Sequence, residues 1–598
     1  MMFQRIRNPR PASVKVWPAP ARGLVRNGTV IGADPAAAEV LENFIPTAQG
    51  ARLRGGARHY ASVPGTVEQL FTYRSGGAEN LFAATETGIA DVSGVSDPAT
   101  IQPHAVDSMT SGDWSTVQFA TAAGEFLIAV NGADMMQRFD GSDWFPVADE
   151  VLFDLEYDGM TAAFEVGETV IGGTSGAFAS ILGIYPTGPS SGVLRLGAIT
   201  SGPFMYGEAI TSAGGAAVAD SGSSAGSTLK VDGVDTRLLS FVWSHKRRLW
   251  FVEKGTLSAW YLDVNSIAGT ATEFPLAGVF RLGGSLLFGG TWSIDSGAGL
   301  DDVMVFVTTE GEIAVYQGTD PGTADDWSLT GVYKIGRPLN KRAWFRAGGD
   351  MAILTEDGIV PVSEALQKDR AALQASAITF PIEDLWQSAV AGRTVSPQFP
   401  VAVHSSKTLL LIGIPRQGGM DTALVANTRT GAWAAITGWD VRAAAVYGDR
   451  LYFGDALGRI AEADAGGNDF GLPYVGVYIP KFQEMNSADD KIALHARAIW
   501  RGAEDASPAV GCLQNYTLTP LPPPHPVARD SAALWGTAIW GAFRWGDGGV
   551  RNVAQDWQAV SGMGFALAPC MVVASDRVQA PTFEILSLHL RYEVGRAI

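Results

Sequence analysis

Apolar and polar positions alternate over short runs along most of the chain, and glycines separate the runs. The stretch 303–316 shows the unit most clearly. An apolar run from Val303 to Val307 enters a polar turn closed by Gly311, and an alternating run through Ile313 and Val315 ends on Tyr316. Variants recur with the turn glycine at Gly88, Gly132, Gly255, Gly358 and Gly458, and a longer turn at 416–421 divides the apolar runs between Leu409 and Ala426. Glycine supplies the positive φ of a tight hairpin, and alternation on both sides marks paired, half-buried strands. Gly88 to Gly132, Gly255 to Gly311 and Gly311 to Gly358 span 44, 56 and 47 residues, and the 100 residues from Gly358 to Gly458 hold two units. A repeat of about 40–50 residues carrying about four strands is that of a propeller blade. The pattern therefore predicts an all-β fold, a β-propeller of six or seven blades. The competing arrangement is a β-sandwich whose hairpins merely look alike.

Three segments break the repeat. The 123 residues from Gly132 to Gly255 exceed one unit, so 151–228 is read as an insertion. Its two similar lines, Phe164-Glu-Val-Gly167-Glu168 and Phe204-Met-Tyr-Gly207-Glu208, predict a duplicated small β-domain that projects outward and closes in a flexible Gly/Ser spacer at 221–227. Residues 363–377, with Leu366 and Leu373 one heptad apart, predict an amphipathic helix laid on the propeller or, alternatively, against a neighbouring subunit. Residues 471–598 change character: Ile492, Leu494, Ala496, Ala498 and Trp500 alternate with polar positions, as do Leu586, Leu588, Leu590, Tyr592 and Val594. Both runs read as strands of a C-terminal β-sandwich-like domain. Between them Trp535, Trp540 and Trp545 recur at intervals of five, an odd spacing that cannot line one face of a regular strand. Tryptophans also follow polar turns at Trp144, Trp327 and Trp433, where they are expected to fill the wedges between blades. The expected order is an N-terminal arm (1–60), first blades (61–150), the insertion (151–228), remaining blades (229–470) and the sandwich (471–598).

The arm carries nine Lys/Arg (Arg5, Arg7, Arg10, Lys15, Arg22, Arg26, Arg52, Arg54 and Arg58) against Asp34, Glu39 and Glu42, although the whole chain has a formal net charge of −18. Its prolines predict an extended course over the surface, and Asp34-Pro35 before Ala36 to Leu41 predicts a short helix. A basic arm on an acidic body reads either as a docking element for an acidic neighbour or as a solvated tail. Next come Asn43, Phe44, Pro46, Gly50, Arg52, Arg54 and Gly55. This stretch resembles the N-terminal motif of the tail nozzle proteins (tail tubular protein B, or tail hub) of short-tailed bacteriophages, where an asparagine-aromatic-x-proline element precedes glycine, two arginines and glycine. The Trp535, Trp540, Trp545 segment is similar to the tryptophan repeat of that family.

The resemblance implies a structural virion protein in the phage tail, assembled in the host cytoplasm. It implies a hexameric ring around a channel for double-stranded DNA, bound to the tail adaptor ring and to tail fibres or a tip or needle protein. The candidate assembly contacts are Arg5, Arg7, Arg10, Lys15, Arg52, Arg54, Trp535, Trp540 and Trp545. For the arginines of the motif, a salt-bridged β-turn is an equally open reading.

Composition narrows the chemistry. Seventy-one glycines and 31 prolines with 17% charged residues fit a turn-dense β protein, and 46% hydrophobic residues leave ample core. The acidic balance argues against tight nucleic-acid binding, whereas an acidic channel wall lets phosphates slide past. No apolar run reaches the length of a membrane span, and the N-terminus lacks the apolar core of a secretory signal. Cys512 and Cys570 are too few for a disulfide framework and are expected as free thiols. There is no His-Glu-x-x-His, paired Cys-x-x-Cys or phosphate loop, and the seven histidines lack ligand spacing, so no metal, cofactor or catalytic residue is assigned. Gly222 to Gly226 matches the serine-hydrolase elbow around Ser224, but in a Gly/Ser spacer the match is expected to be chance. The alternative function is a tail-associated glycan-binding or glycan-hydrolysing β-propeller, whose carboxylate pair would come from distant blades.

Overall fold

The computed structural model describes residues 12–27, 33–227, 229–295, 300–323, 325–392, 399–417, 420–502, 507–524 and 551–595. Seven antiparallel sheets, at 69–107, 115–147, 239–275, 286–334, 344–361, 401–437 and 443–463, follow one another as blades one to seven. Neighbouring blades pack face to face: Phe71 and Phe82 of blade one meet Phe139 and Trp144 of blade two, and so on round to Ala443 and Tyr452 of blade seven against Leu70 and Leu81 of blade one. The wheel is closed by the N-terminal strand Ala57–Ser62, which pairs antiparallel with Arg459–Ala463 as the outermost strand of blade seven. The fold is a β-propeller, and the glycine-tipped hairpins are the second and third strands of its blades.

Gly132, Gly255, Gly311, Gly358 and Gly458 all have positive φ, as the hairpin reading requires. Gly88 does not; it is needed for space, since a Cβ there would lie 2.3 Å from the Val106 carbonyl oxygen. The tryptophans after polar turns fill wedges as expected. Trp327 stacks on Tyr316 of its own blade and on Trp250 of blade three, at centroid distances of 5.9 and 5.8 Å. Trp433 is fully buried and donates to the Ile378 carbonyl at 3.1 Å.

One wedge also holds an ionisable group. His245 of blade three is 3% exposed, with Nδ1 3.0 Å from Thr291 Oγ1 of blade four. Burial, helped by the neighbouring Lys246 charge, pushes its pKa down to about 4. The unfolded chain therefore binds the proton first. Stability is complete above the ordinary histidine pKa and falls as the pH drops from there toward about 4, by about 3 kcal/mol. Urea midpoints measured at neutral pH and near pH 4.5 should differ less in His245→Gln than in the wild type.

The insertion is a closed barrel. Its strands pair in the order Gly192–Leu196, Phe178–Pro186, Thr169–Gly172, Ala209–Thr211, Ala216–Ala219, Leu152–Ala162, and Leu152–Ala162 pairs back onto Gly192–Leu196. The duplication is a pseudo-two-fold in which the glutamates cross over. Glu208 accepts from Thr174 N, Ser175 N and Ser175 Oγ, beyond the first copy's strand, at 2.8–2.9 Å. Glu168 accepts from Ser212 Oγ, beyond the second copy's strand, at 2.5 Å. The expected flexible spacer is corrected: Ser224–Ser227 forms a strand on Leu152–Ala162, so Ser224 sits on no strand-to-helix turn.

The sandwich packs two sheets over the largest core. One sheet is centred on Lys491–Gly502 and Phe583–Val594; the other runs without interruption from blade six through Gly23–Leu24 and Ala37–Glu42 to Tyr474–Pro480, Leu567–Ser575 and Ala509–Gln514. Propeller and sandwich are thus one hydrogen-bonded body. The strict alternation predicted at 491–501 is corrected, because the register shifts between Ala493 and His495. Before that bulge Lys491 and Ala493 point inward and Ile492 is 39% exposed; beyond it Ala496, Ala498 and Trp500 are buried. A second shift takes Leu586 out of phase with the inward Ile585, Leu588 and Leu590. Cys512 and Cys570 are free on neighbouring strands. Burial, with the second thiol beside it, pushes the Cys512 pKa up to about 12, so the native protein should resist iodoacetamide at pH 8 until urea unfolds it.

Two further expectations are corrected. Ala37–Glu42 is a strand, because its pairing with Tyr474–Pro480 outweighs alanine's helical preference, while Asp34 closes a turn onto Ala36 N at 2.9 Å. The helix expected over 363–377 is two short ones, Val362–Ala365 and Arg370–Ser376, restarted at Asp369, a residue type that favours helix ends. Leu373 is buried and Leu366 packs on the same propeller core, so the packing follows expectation.

Candidate assembly motif and propeller axis

The N-terminal segment is not a free arm from Ser13 onward. Ser13–Pro18 pairs with Phe583–Val594 as an edge strand, and Trp17 is fully buried, donating to the Lys481 carbonyl at 3.0 Å. Its arginines are neutralised within the chain: Arg22 by Asp34, Arg26 by Asp384, Arg52 by Asp464, Arg54 by Asp469 and Arg58 by Glu462. The acidic neighbour that the charge asymmetry predicts is therefore, for Arg52, Arg54 and Arg58, the propeller's own last blade and its flank, while Arg22 pairs within the N-terminal segment and Arg26 with the helix before blade six. Lys15 is half-buried and has no carboxylate partner among the described residues. Arg5, Arg7, Arg10, Trp535, Trp540 and Trp545 lie outside the described residues.

The motif itself is a knot. Phe44–Pro46 and Ala51–Leu53 form a hairpin in the sandwich sheet, and Asn43 takes a left-handed φ of 60° just before it. Arg54 is 0% exposed and uses all five guanidinium N–H groups. Nε donates to Asn43 Oδ1 at 2.9 Å, Nη1 to Gly55 O and Asp469 Oδ1 at 2.9 and 2.8 Å, and Nη2 to Thr437 O and Asp469 Oδ2 at 3.2 and 2.7 Å. The guanidinium lies between Trp439 and Tyr474, 4.6 and 4.0 Å from their ring centroids. Trp439 Nε1 and Ala57 N also donate to Asp469, both at 3.0 Å. Gly56 has no room for a side chain: a Cβ would lie 1.8 Å from the Asn468 carbonyl oxygen. The knot joins the exit of blade six, the closing strand of blade seven and the lead into the sandwich. Arg54 is thereby taken out of the candidate assembly contacts, while Arg52 remains partly exposed at 36% beside Asp464.

The innermost strands all run the same way, so their entries meet at one mouth of the propeller axis and their exits at the other. At the entry mouth side chains from non-adjacent blades meet across the axis. Lys341, leading into blade five, donates to the carbonyls of Asp113 and Ser240 at 2.6 and 2.9 Å and pairs with the Asp113 carboxylate at 3.2 Å. Arg342 pairs with Asp113 at 3.1 Å and reaches the Glu68 carbonyl at 3.3 Å. Burial would raise the Asp113 pKa, but Arg342 and Lys341 outweigh it and hold the carboxyl below its usual range. Burial lowers that of Lys341 despite Asp113. This network bridges the propeller's axis at that end.

The exit mouth is a polar groove of about 880 Å³ beside blades six, seven, one and two. Arg74 pairs there with Glu79 at 2.5 Å, and Asp449 accepts from Ser406 Oγ at 2.7 Å and lies 3.2 Å from His404 Nε2. None of these axis residues was singled out from the sequence. The only hint was the adjacent cations Lys341-Arg342 at a blade entry in an acidic chain. Among the described residues no group of three or more His, Cys, Asp or Glu could hold a metal ion, and no helix is long and apolar enough to cross a membrane.

No family model and no curated protein matches this chain. Solved structures that resemble it are propellers. The Swd1 (Cps50) β-propeller domain of Myceliophteria thermophila has 11% identity and a TM-score of 0.31, over 68% of this chain and 99% of that one. Saccharomyces cerevisiae Sqt1 has 11% identity and a TM-score of 0.30, over 68% and 96%. YCF48 from Cyanidioschyzon merolae has 9% identity and a TM-score of 0.23, over 68% and 98%. Likenesses this distant carry no argument about function.

Proposed function

We propose that this chain is a structural subunit of a phage virion, the nozzle or hub of a short tail, acting as conduit and attachment point with no chemical step. The observation that carries the reading is the Asn43-to-Gly55 stretch. Its residues resemble the nozzle motif, and here they form the joint between propeller closure and sandwich, an architectural part and no active site. The ion pairs across the propeller axis support one refinement: duplex DNA would pass between subunits of a ring, each wheel serving as a solid wall segment. The expected partners are further copies in a hexamer, the adaptor ring, and fibres or a tip protein. Negative-stain images of the purified chain and a cryo-EM map of the particle test this. Six-fold rings, or density for the chain below the adaptor, are the expected result; particles lacking the chain would refute it.

A second reading draws on the exit-mouth groove. Its size and its Arg74, Glu79, His404 and Asp449 lining suit a polar ligand such as a glycan, as in a tail-associated glycan-binding propeller. Binding of a surface polysaccharide that is lost in Glu79→Gln would favour it.

A further inference from the structure

Two surfaces on opposite sides of the wheel are complementary. The barrel leaves the ring between blades two and three, and the sandwich grows from blade six, half the circumference away. On the barrel wall, Glu156 and Asp158 point outward from one strand, with exposed Val218 opposite Asp158 and exposed Asp220 beside it. Met205 and Tyr206, 51% and 75% exposed, stand on the adjoining turn. None of these three carboxylates has a cationic partner among the described residues. Residues 151–228 contain seven Asp or Glu against the single Arg195.

The outer face of the sandwich has the opposite character. In register across three strands lie Val16, His589 and Arg497, then Val14, Arg591 and His495. Val14 and Val16 are 52% and 46% exposed on an edge strand. Arg497 contacts His589 and lies 4.6 Å over the exposed Trp557 ring; among the described residues neither Arg497 nor Arg591 has a carboxylate partner. The nearby acids are Glu593, two residues along the strand from Arg591, and Asp556, in the segment between Arg551–Ala554 and Gln558–Ala559. Two arginines beside an aromatic ring and an apolar edge, on a chain of net charge −18, have the composition of an interface core with a charged rim.

We propose that the acidic barrel wall of one copy docks on the basic outer face of the sandwich of a second copy. Distinct patches on opposite sides make a heterologous, head-to-tail contact, the kind that closes into rings. The proposal rests on the ring reading above and gives it a specific interface.

Sedimentation velocity from dilute to concentrated protein tests it. Arg497→Glu with Arg591→Glu should weaken self-association at least about tenfold. Glu156→Lys, Asp158→Lys and Asp220→Lys together should do the same, and mixing the two variants should restore it. Unchanged thermal unfolding of each variant shows that folding is intact. Reversals without effect, failure of the mixture to recover, or a wild type that stays monomeric throughout overturns the contact. Loss of duplex DNA binding in place of self-association would assign the face to nucleic acid and also overturn it. A ring whose cross-links join other surfaces removes this interface but leaves the nozzle reading standing; absence of the chain from the particle removes the nozzle reading whatever the contact.

Discussion

Arg54→Met is expected to destabilise the protein by about 3–5 kcal/mol and to loosen the sandwich from the propeller. The substitution leaves the Asp469 carboxylate, 12% exposed, without its counter-charge and strands the carbonyls of Gly55 and Thr437. Removing one partner of a buried pair costs far more than the pair itself contributes, because the remaining charge stays desolvated. Arg54→Lys should recover little. An ammonium cannot reproduce the planar fork that reaches Asn43, Gly55, Thr437 and both Asp469 oxygens while stacked between Trp439 and Tyr474. The control is Arg22→Ala, whose pair with Asp34 is exposed on both sides and whose loss should cost about 1 kcal/mol or less. Urea denaturation followed by tryptophan fluorescence gives the order of the midpoints, and limited proteolysis near 464–474 reports the loosened joint. If Arg54→Met behaves like Arg22→Ala, the knot holds nothing together.

The pattern of residues revealed the repeat because a blade's hairpin is local. Gly311 and its relatives, the alternating strands beside them and the tryptophans after polar turns all speak within about ten residues of one another. The insertion was legible for the same reason, since its two Phe-x-x-Gly-Glu lines are copies. What the local pattern could not supply was partnership over long separations. Arg54 and Asp469 are 415 residues apart, and no periodicity says that a basic N-terminal stretch closes the last blade. The local pattern reads Ala36 to Leu41 as helix, whereas the Ala37–Glu42 strand is held chiefly by sheet neighbours beyond residue 430. The bulge after Ala493 was hidden because a single extra residue reverses the facing of everything before it while the composition stays the same. Of the candidate contacts, the structure turns Arg54 inward and leaves Arg52 partly exposed, a difference that no local pattern distinguishes.

Asp113→Ala should be the second large loss, about 1–3 kcal/mol at neutral pH, because it leaves Lys341 buried at the axis with its carboxylate gone and Arg342 beside it, while the 36% exposure of Asp113 keeps the cost below that of a fully buried pair. The pH dependence separates this from simple loss of packing. Lys341 already has a pKa held below the ordinary lysine value by burial, and without Asp113 it should fall further. Between that lowered value and the ordinary lysine pKa the unfolded chain binds more protons, so the variant should regain stability as the pH rises through the alkaline range. Asp113 in the wild type works in the acid range: its carboxyl is held below the usual value, so its contribution is present above the unfolded pKa and is lost as the pH falls through the folded one. Adding Lys341→Met to Asp113→Ala replaces the orphaned charge with an apolar side chain of similar length, and should restore most of the midpoint and flatten its alkaline rise. An Asp113→Ala protein with no alkaline recovery, unrescued by Lys341→Met, would show that the axis is held together by the strands alone.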